Sequence, residues 1–148
     1  MEMIKLADWK PTLYQYWNIF RVLLSRGLAY VNDPRQLEQQ FANRQHRKHA
    51  IVHSSGTSAL KIALQTVKEN NGWNDGDEVI IPAVTFVATM SVVMYNNLKP
   101  VFVDVGWDAN IDTSLIAEKI TDRTVAIMPV HLLGKPADME RIRIIAGK

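Results

Sequence analysis

EVIIP (78–82), TFVATMSVVMY (85–95) and PVFVDV (100–105) follow one another with almost no chain between them. After Glu78 the first is an apolar run halted by proline, which predicts a strand buried on both faces. The second is apolar nearly all round and predicts a deeply buried helix. The third, opened by Pro100, predicts another strand of the same kind. Strand, helix and strand in this order predict parallel pairing through a crossover.

The same alternation extends in both directions. Upstream, HAIVHS (49–54) reads as a short strand. Gly56 to about Glu69 reads as a helix with Leu60, Ala63, Leu64 and Val67 on one face, and Asn71-Gly72 and Asp75-Gly76 mark turns after it. Downstream, Asp112 is placed to cap a short helix carrying Leu115, Ile116 and Ile120. TVAIMPVH (124–131) reads as a strand, and Pro136 and Asp138 open a last helix through Met139, Ile142 and Ile145. Four strand–helix units predict an α/β fold, a mostly parallel sheet flanked by helices.

The N-terminal part has another character. Leu13, Trp17, Phe20 and Leu24 share a helical stripe, with Thr12 as its cap and Gly27 as its stop. A second helix opens at Asp33-Pro34, with Gln36 three residues after the cap and Leu37 and Phe41 on its inner face. The basic stretch Arg44-Gln45-His46-Arg47-Lys48-His49 follows and reads as a solvated surface. The change near residue 45 divides a helical arm (1–45) from the α/β part (46–148).

Composition excludes several classes. Of 148 residues, 47% are hydrophobic and 22% charged, which suits a folded chain rather than a disordered one. The absence of cysteine removes disulfides, thiol nucleophiles and thiolate metal sites. Seventeen basic and fifteen acidic residues leave a net charge of +2, too balanced for a nucleic-acid binder. No apolar run approaches the ~20 residues of a membrane helix, and MEMIKLADWKP is not a secretory signal. A cytoplasmic protein is expected. No histidine pair has metal-ligand spacing with carboxylate support, so no metal site is expected.

In an open α/β sheet ligands bind beyond the carboxyl ends of the strands. Four places qualify. Ser54-Ser55-Gly56-Thr57-Ser58 opens a helix, and its free N–H groups and dipole suit a phosphate; the alternative is a plain helix cap. Phe86 follows the end of EVIIP and is either a ring-stacking platform or a core side chain. Asp104 ends PVFVDV and is either a ligand-holding carboxylate or a turn residue. His131 is either a base or a hydrogen-bonded structural residue.

Taken together, SSGTSAL, GDEVIIPAVTFVATMSVV, KPVFVDV and TDRTVAIMPVHLLGKPADME, in this order, resemble the DegT/StrS family of sugar aminotransferases. The resemblance implies the type I fold of pyridoxal 5'-phosphate (PLP) enzymes, here the N-terminal part of the large domain. It implies a homodimer, and transfer of an amino group from glutamate to a nucleotide-linked keto-sugar. Carried onto this chain, Gly56, Thr57 and Ser58 hold the cofactor phosphate and Phe86 stacks on its ring. The family's Schiff-base lysine, the acid paired with the ring nitrogen and a second phosphate-binding serine all lie beyond the part matched here. On this reading the chain is the first portion of the enzyme and ends at Lys148 before its catalytic base. The alternatives are a small inactive binding or regulatory protein built on this fold, or the family's dehydratase branch.

Overall fold

The computed structural model describes residues 34–147, together with Leu13, Trp17 and Phe20. Those three are helical and exposed, with the Trp17 and Phe20 rings 6.1 Å apart. Thr12, Leu24, Gly27, Asp33 and Lys148 lie outside the described residues. The chain divides into two units between Val52 and His53.

In the first unit α1 spans Pro34–Arg44. The predicted strand at 49–54 does not form. The Val52 N–H, which a ladder would need, goes to the Glu38 side chain at 2.9 Å. An apolar run of this length becomes a strand only where an edge is free to pair with it.

The second unit begins with α2 (Gly56–Asn71). Ser55 caps it by accepting the Ser58 N–H at 3.1 Å. Gly72 ends it in the left-handed region at φ 66°, where a side chain would be strained. Then come β1 (Glu78–Pro82), α3 (Val87–Tyr95), β2 (Lys99–Val103), β3 (Thr124–Ile127) and α4 (Met139–Ile145). The sheet is parallel, with strand order β2-β1-β3.

Alternation along β1 sorts the core into two layers. Val79 and Ile81 point to one face and pack with Leu64 of α2, Val92 and Val93 of α3, and Leu98. Ile80 points to the other face and packs with Val103, Ile111, Ile116, Ala137 and Ile142 of α4. Every residue of β1 is buried, as a central strand covered on both sides requires.

Other expectations need correction. Leu37 and Phe41, expected on the inner face of α1, are exposed, and its buried residue is Ala42. The helix predicted from Asp112 is a run of turns with one 3-10 turn at Ala117–Lys119. The Asp112 carboxylate accepts both the N–H and the hydroxyl of Ser114, which closes a local turn instead of starting a helix. The last strand stops at Ile127 rather than at His131. Met128 still donates its N–H to Ile80 O, but Pro129 has no N–H to continue the ladder. Helix α3 starts at Val87, two residues later than expected, and is not buried all round, since Val87, Met94 and Tyr95 are exposed.

Candidate active site

The order β2-β1-β3 fixes where a ligand can enter. The chain leaves β1 toward β2 on one side and later returns to pair with β1 on the other. The crevice beyond the carboxyl ends of β1 and β3 is therefore a topological switch point. A cavity of about 500 Å³ occupies it, within the usual roughly 300–1,000 Å³ of small-molecule sites. Gly56 and Thr57 of α2, Thr85 and Phe86 after β1, and Val130 and Leu132 after β3 form parts of its wall.

The start of α2 supplies the polar end. Ser58 N–H is taken by the Ser55 cap, and Ala59 N–H by Ser55 O. No hydrogen bond among the described residues uses the N–H of Gly56 or Thr57. These two groups stand at the positive end of a sixteen-residue helix. A Cβ added at Gly56 would meet nothing within 4 Å, so the backbone there faces open space. No acidic or basic side chain lines the cavity. An anion would meet two free N–H groups and the Thr57 hydroxyl, and no carboxylate would repel it. These donors fit a phosphate.

Ser58 itself is not part of the cavity wall. Its hydroxyl contacts Ser55 Oγ at 3.1 Å and Ser54 Oγ at 3.4 Å, which ties the turn leading into α2.

Phe86 is the apolar counterpart. It stands at the N-cap position of α3 in extended backbone, with φ −69° and ψ 142°. Its side chain is 73% exposed, so it is not a core residue. A phenyl face presented at a cavity mouth is free to stack on a flat ring.

Asp104 and His131 are used structurally. The Asp104 carboxylate accepts the Val105 N–H at 2.8 Å. His131 Nδ1 accepts the Ala137 N–H at 3.0 Å. Neither lines the cavity.

Two features had no signal in a single-residue reading. Thr85 and Thr89, four residues apart at the start of α3, both line the cavity, with their hydroxyls 2.9 Å apart. Asn110 is 3% exposed and bonds to the segment that carries Leu132. Its neighbour Asp108 is held below the usual carboxylate range, first by the Asn110 side chain and then by Lys135. Among the described residues no cluster of three or more metal-ligating side chains is present, and no helix is long and apolar enough to cross a membrane.

The DegT/DnrJ/EryC1/StrS aminotransferase family matches residues 20–148. The chain belongs to this family. It is 43% identical over 133 residues to the UDP-N-acetyl-3-dehydro-alpha-D-glucosamine 3-aminotransferase of Acidithiobacillus ferrooxidans, covering 88% of this chain and 34% of that protein. It is 41% identical over 110 residues to the GDP-perosamine synthase of Escherichia coli O157:H7, covering 72% of this chain and 29% of that protein. Among solved structures, the E. coli GDP-4-keto-6-deoxy-D-mannose-3-dehydratase with bound hydrated PLP superposes with a TM-score of 0.82 at 32% identity. That match covers 96% of this chain and 37% of the dehydratase. The α/β fold of this family, a parallel sheet flanked by helices, is thus the one observed. The chain spans about a third of the length of these curated DegT-family relatives.

Proposed function

We propose that this chain carries the cofactor cradle of a PLP-dependent aminotransferase that moves an amino group from glutamate to a nucleotide-linked keto-sugar. The observation that carries the reading is the meeting, in one cavity, of two unused N–H groups at the start of α2 and the exposed face of Phe86. Gly56 and Thr57 donate to the phosphate. Ser58 holds the turn behind them through Ser54 and Ser55. Phe86 packs on the face of the pyridine ring, and the apolar walls at Met128 and Val130 exclude water from it. When bound, PLP supplies the electron sink that amino-group transfer requires. The same reading includes a helical arm over residues 1–45, a cofactor domain from residue 46, and a cytoplasmic homodimer. Sedimentation at the dimer mass supports the homodimer, and a monomer at every concentration counts against it.

A dehydratase reading is supported by the solved structure with the TM-score of 0.82, itself a sugar dehydratase. Whether the parent enzyme returns an aminated or a deoxygenated sugar, read by mass spectrometry, separates the two.

The cradle is tested by titrating the chain with pyridoxamine 5'-phosphate, the amine form of the cofactor, which cannot condense with surface lysines. Saturable binding that inorganic phosphate displaces is expected. Gly56→Ala should weaken it without lowering the thermal midpoint, because the new methyl group enters open space on the protein side. Absence of saturable binding, or a Gly56→Ala chain that binds equally well, overturns the reading.

A further inference from the structure

We infer that the hydroxyl of Thr85, oriented by Thr89, donates a hydrogen bond to an acceptor on the ring-bearing end of the ligand, away from its phosphate. The inference rests on the cofactor reading above.

A count of protons carries it. Thr85 Oγ1 and Thr89 Oγ1 lie 2.9 Å apart, and each hydroxyl has one proton to donate. Neither has another partner among the described residues. A helical threonine can turn its hydroxyl back to the carbonyl four residues earlier, as Thr66 does to Ile62 O at 2.8 Å. Thr89 does not. It is 5% exposed, so an unmade bond there would carry a desolvation cost. The one acceptor within its reach among the described residues is Thr85 Oγ1. Thr89 therefore donates to Thr85, and the Thr85 proton is left over.

Thr85 is half-buried and lines the cavity next to Phe86. Its spare proton serves an acceptor inside the cavity. The phosphate donors, Gly56 and Thr57, stand on α2, a different element from the loop that carries Thr85 and Phe86. With the phosphate at α2 and the ring on Phe86, the group beside Thr85 is a ring substituent. Thr85 would thus select ligands whose ring carries an acceptor at that edge.

The test compares two probes, pyridoxamine 5'-phosphate and inorganic phosphate, on the unsubstituted chain, Thr85→Val and Thr85→Ser. One neutral hydrogen bond corresponds to roughly a two- to tenfold change in affinity. Thr85→Val should lose that factor for pyridoxamine 5'-phosphate and keep its affinity for phosphate, and Thr85→Ser should restore the first. A valine chain that binds pyridoxamine 5'-phosphate like the unsubstituted one overturns this inference alone. So does equal weakening for both probes, which marks a general loosening of the cradle. Failure of the unsubstituted chain to bind overturns the cofactor reading and this inference with it. Thr85→Val also leaves the buried Thr89 hydroxyl without its acceptor, so a lowered thermal midpoint is expected, while Thr85→Ser keeps that bond; the melt checks that the valine chain still folds. Should that melt be lost, the same two-probe comparison on Thr89→Val, which leaves the Thr85 hydroxyl without its holder, decides in the same way.

Discussion

The side-chain oxygen of Asn110 accepts the backbone N–H of Leu132 at 3.1 Å, which joins the loop after β2 to the loop after β3. The amide of the same side chain donates to the carbonyls of Lys135 at 3.2 Å and Pro136 at 3.5 Å. A residue 22 positions earlier in the chain thus fixes one wall of the cavity. Asn110→Ala would remove three bonds to half-buried and exposed backbone groups and should cost about 1 kcal/mol. Denaturant unfolding reads this as a lower midpoint at an unchanged slope. Asn110→Asp would set a carboxylate against two carbonyls and Asp108, and should be at least as damaging at neutral pH.

On the proposed cofactor reading, Phe86 serves recognition and not stability. Because its side chain is exposed, Phe86→Ala should change unfolding free energy by no more than about 0.5 kcal/mol. Affinity for pyridoxamine 5'-phosphate should fall by about 0.5–1.5 kcal/mol, the worth of an aromatic contact beyond its area. A fluorescence titration and a thermal melt on the same preparation give both values. A large loss of stability with unchanged affinity would return Phe86 to a packing role.

Glu78 makes the unit acid-sensitive. At the start of β1 its carboxylate accepts from Lys99 Nζ at 2.8 Å and from the Thr121 hydroxyl at 2.6 Å, which links the starts of all three strands. The Lys99 hydrogen bond, followed by that of Thr121, holds the carboxyl below the ordinary glutamate range. The folded chain therefore binds this proton less readily than the unfolded one. The stabilisation is complete above the ordinary glutamate value and is lost as pH falls toward the lower folded value. Thermal midpoints measured from neutral pH down into the carboxylate range should fall with pH, and Glu78→Gln should flatten that slope. An unchanged slope would show that Glu78 is not the group responsible.

Much of the fold was legible because local chemistry and tertiary demand agree there. EVIIP is apolar without alternation after Glu78 and ends in proline, and β1 has those bounds. SSGTSAL announces a cap, and Ser55 provides it. The failures share a cause. A run such as HAIVHS has strand composition, but a strand also needs an unoccupied edge, which composition does not report. Asp112 has the identity of a helix cap, but its bonds to Ser114 close a turn first. In the cavity wall, Gly56, Thr57 and Phe86 are residues the sequence had singled out, although the strand expected before the helix start does not form. Asn110 was not, since its partners lie 22 to 26 residues away and no local pattern encodes such a distance. The Thr85–Thr89 pair has the spacing of one helical turn, a signal that becomes meaningful only once both hydroxyls are seen at the cavity.

The β2-β1-β3 order also bears on how such a chain can change over generations. The side chains that glue the two layers, Ile80, Ile81, Val92, Val93 and Ile116, stand apart from those that face the crevice. Ala88 and Thr89 are the crevice-lining residues that are themselves buried. On the proposed cofactor reading, exchanges at Thr57, Phe86 or Leu132 should alter ligand binding while heat tolerance is preserved. The first turn of α3 is where a lineage would meet a trade-off, because an exchange at Ala88 or Thr89 also changes a buried position.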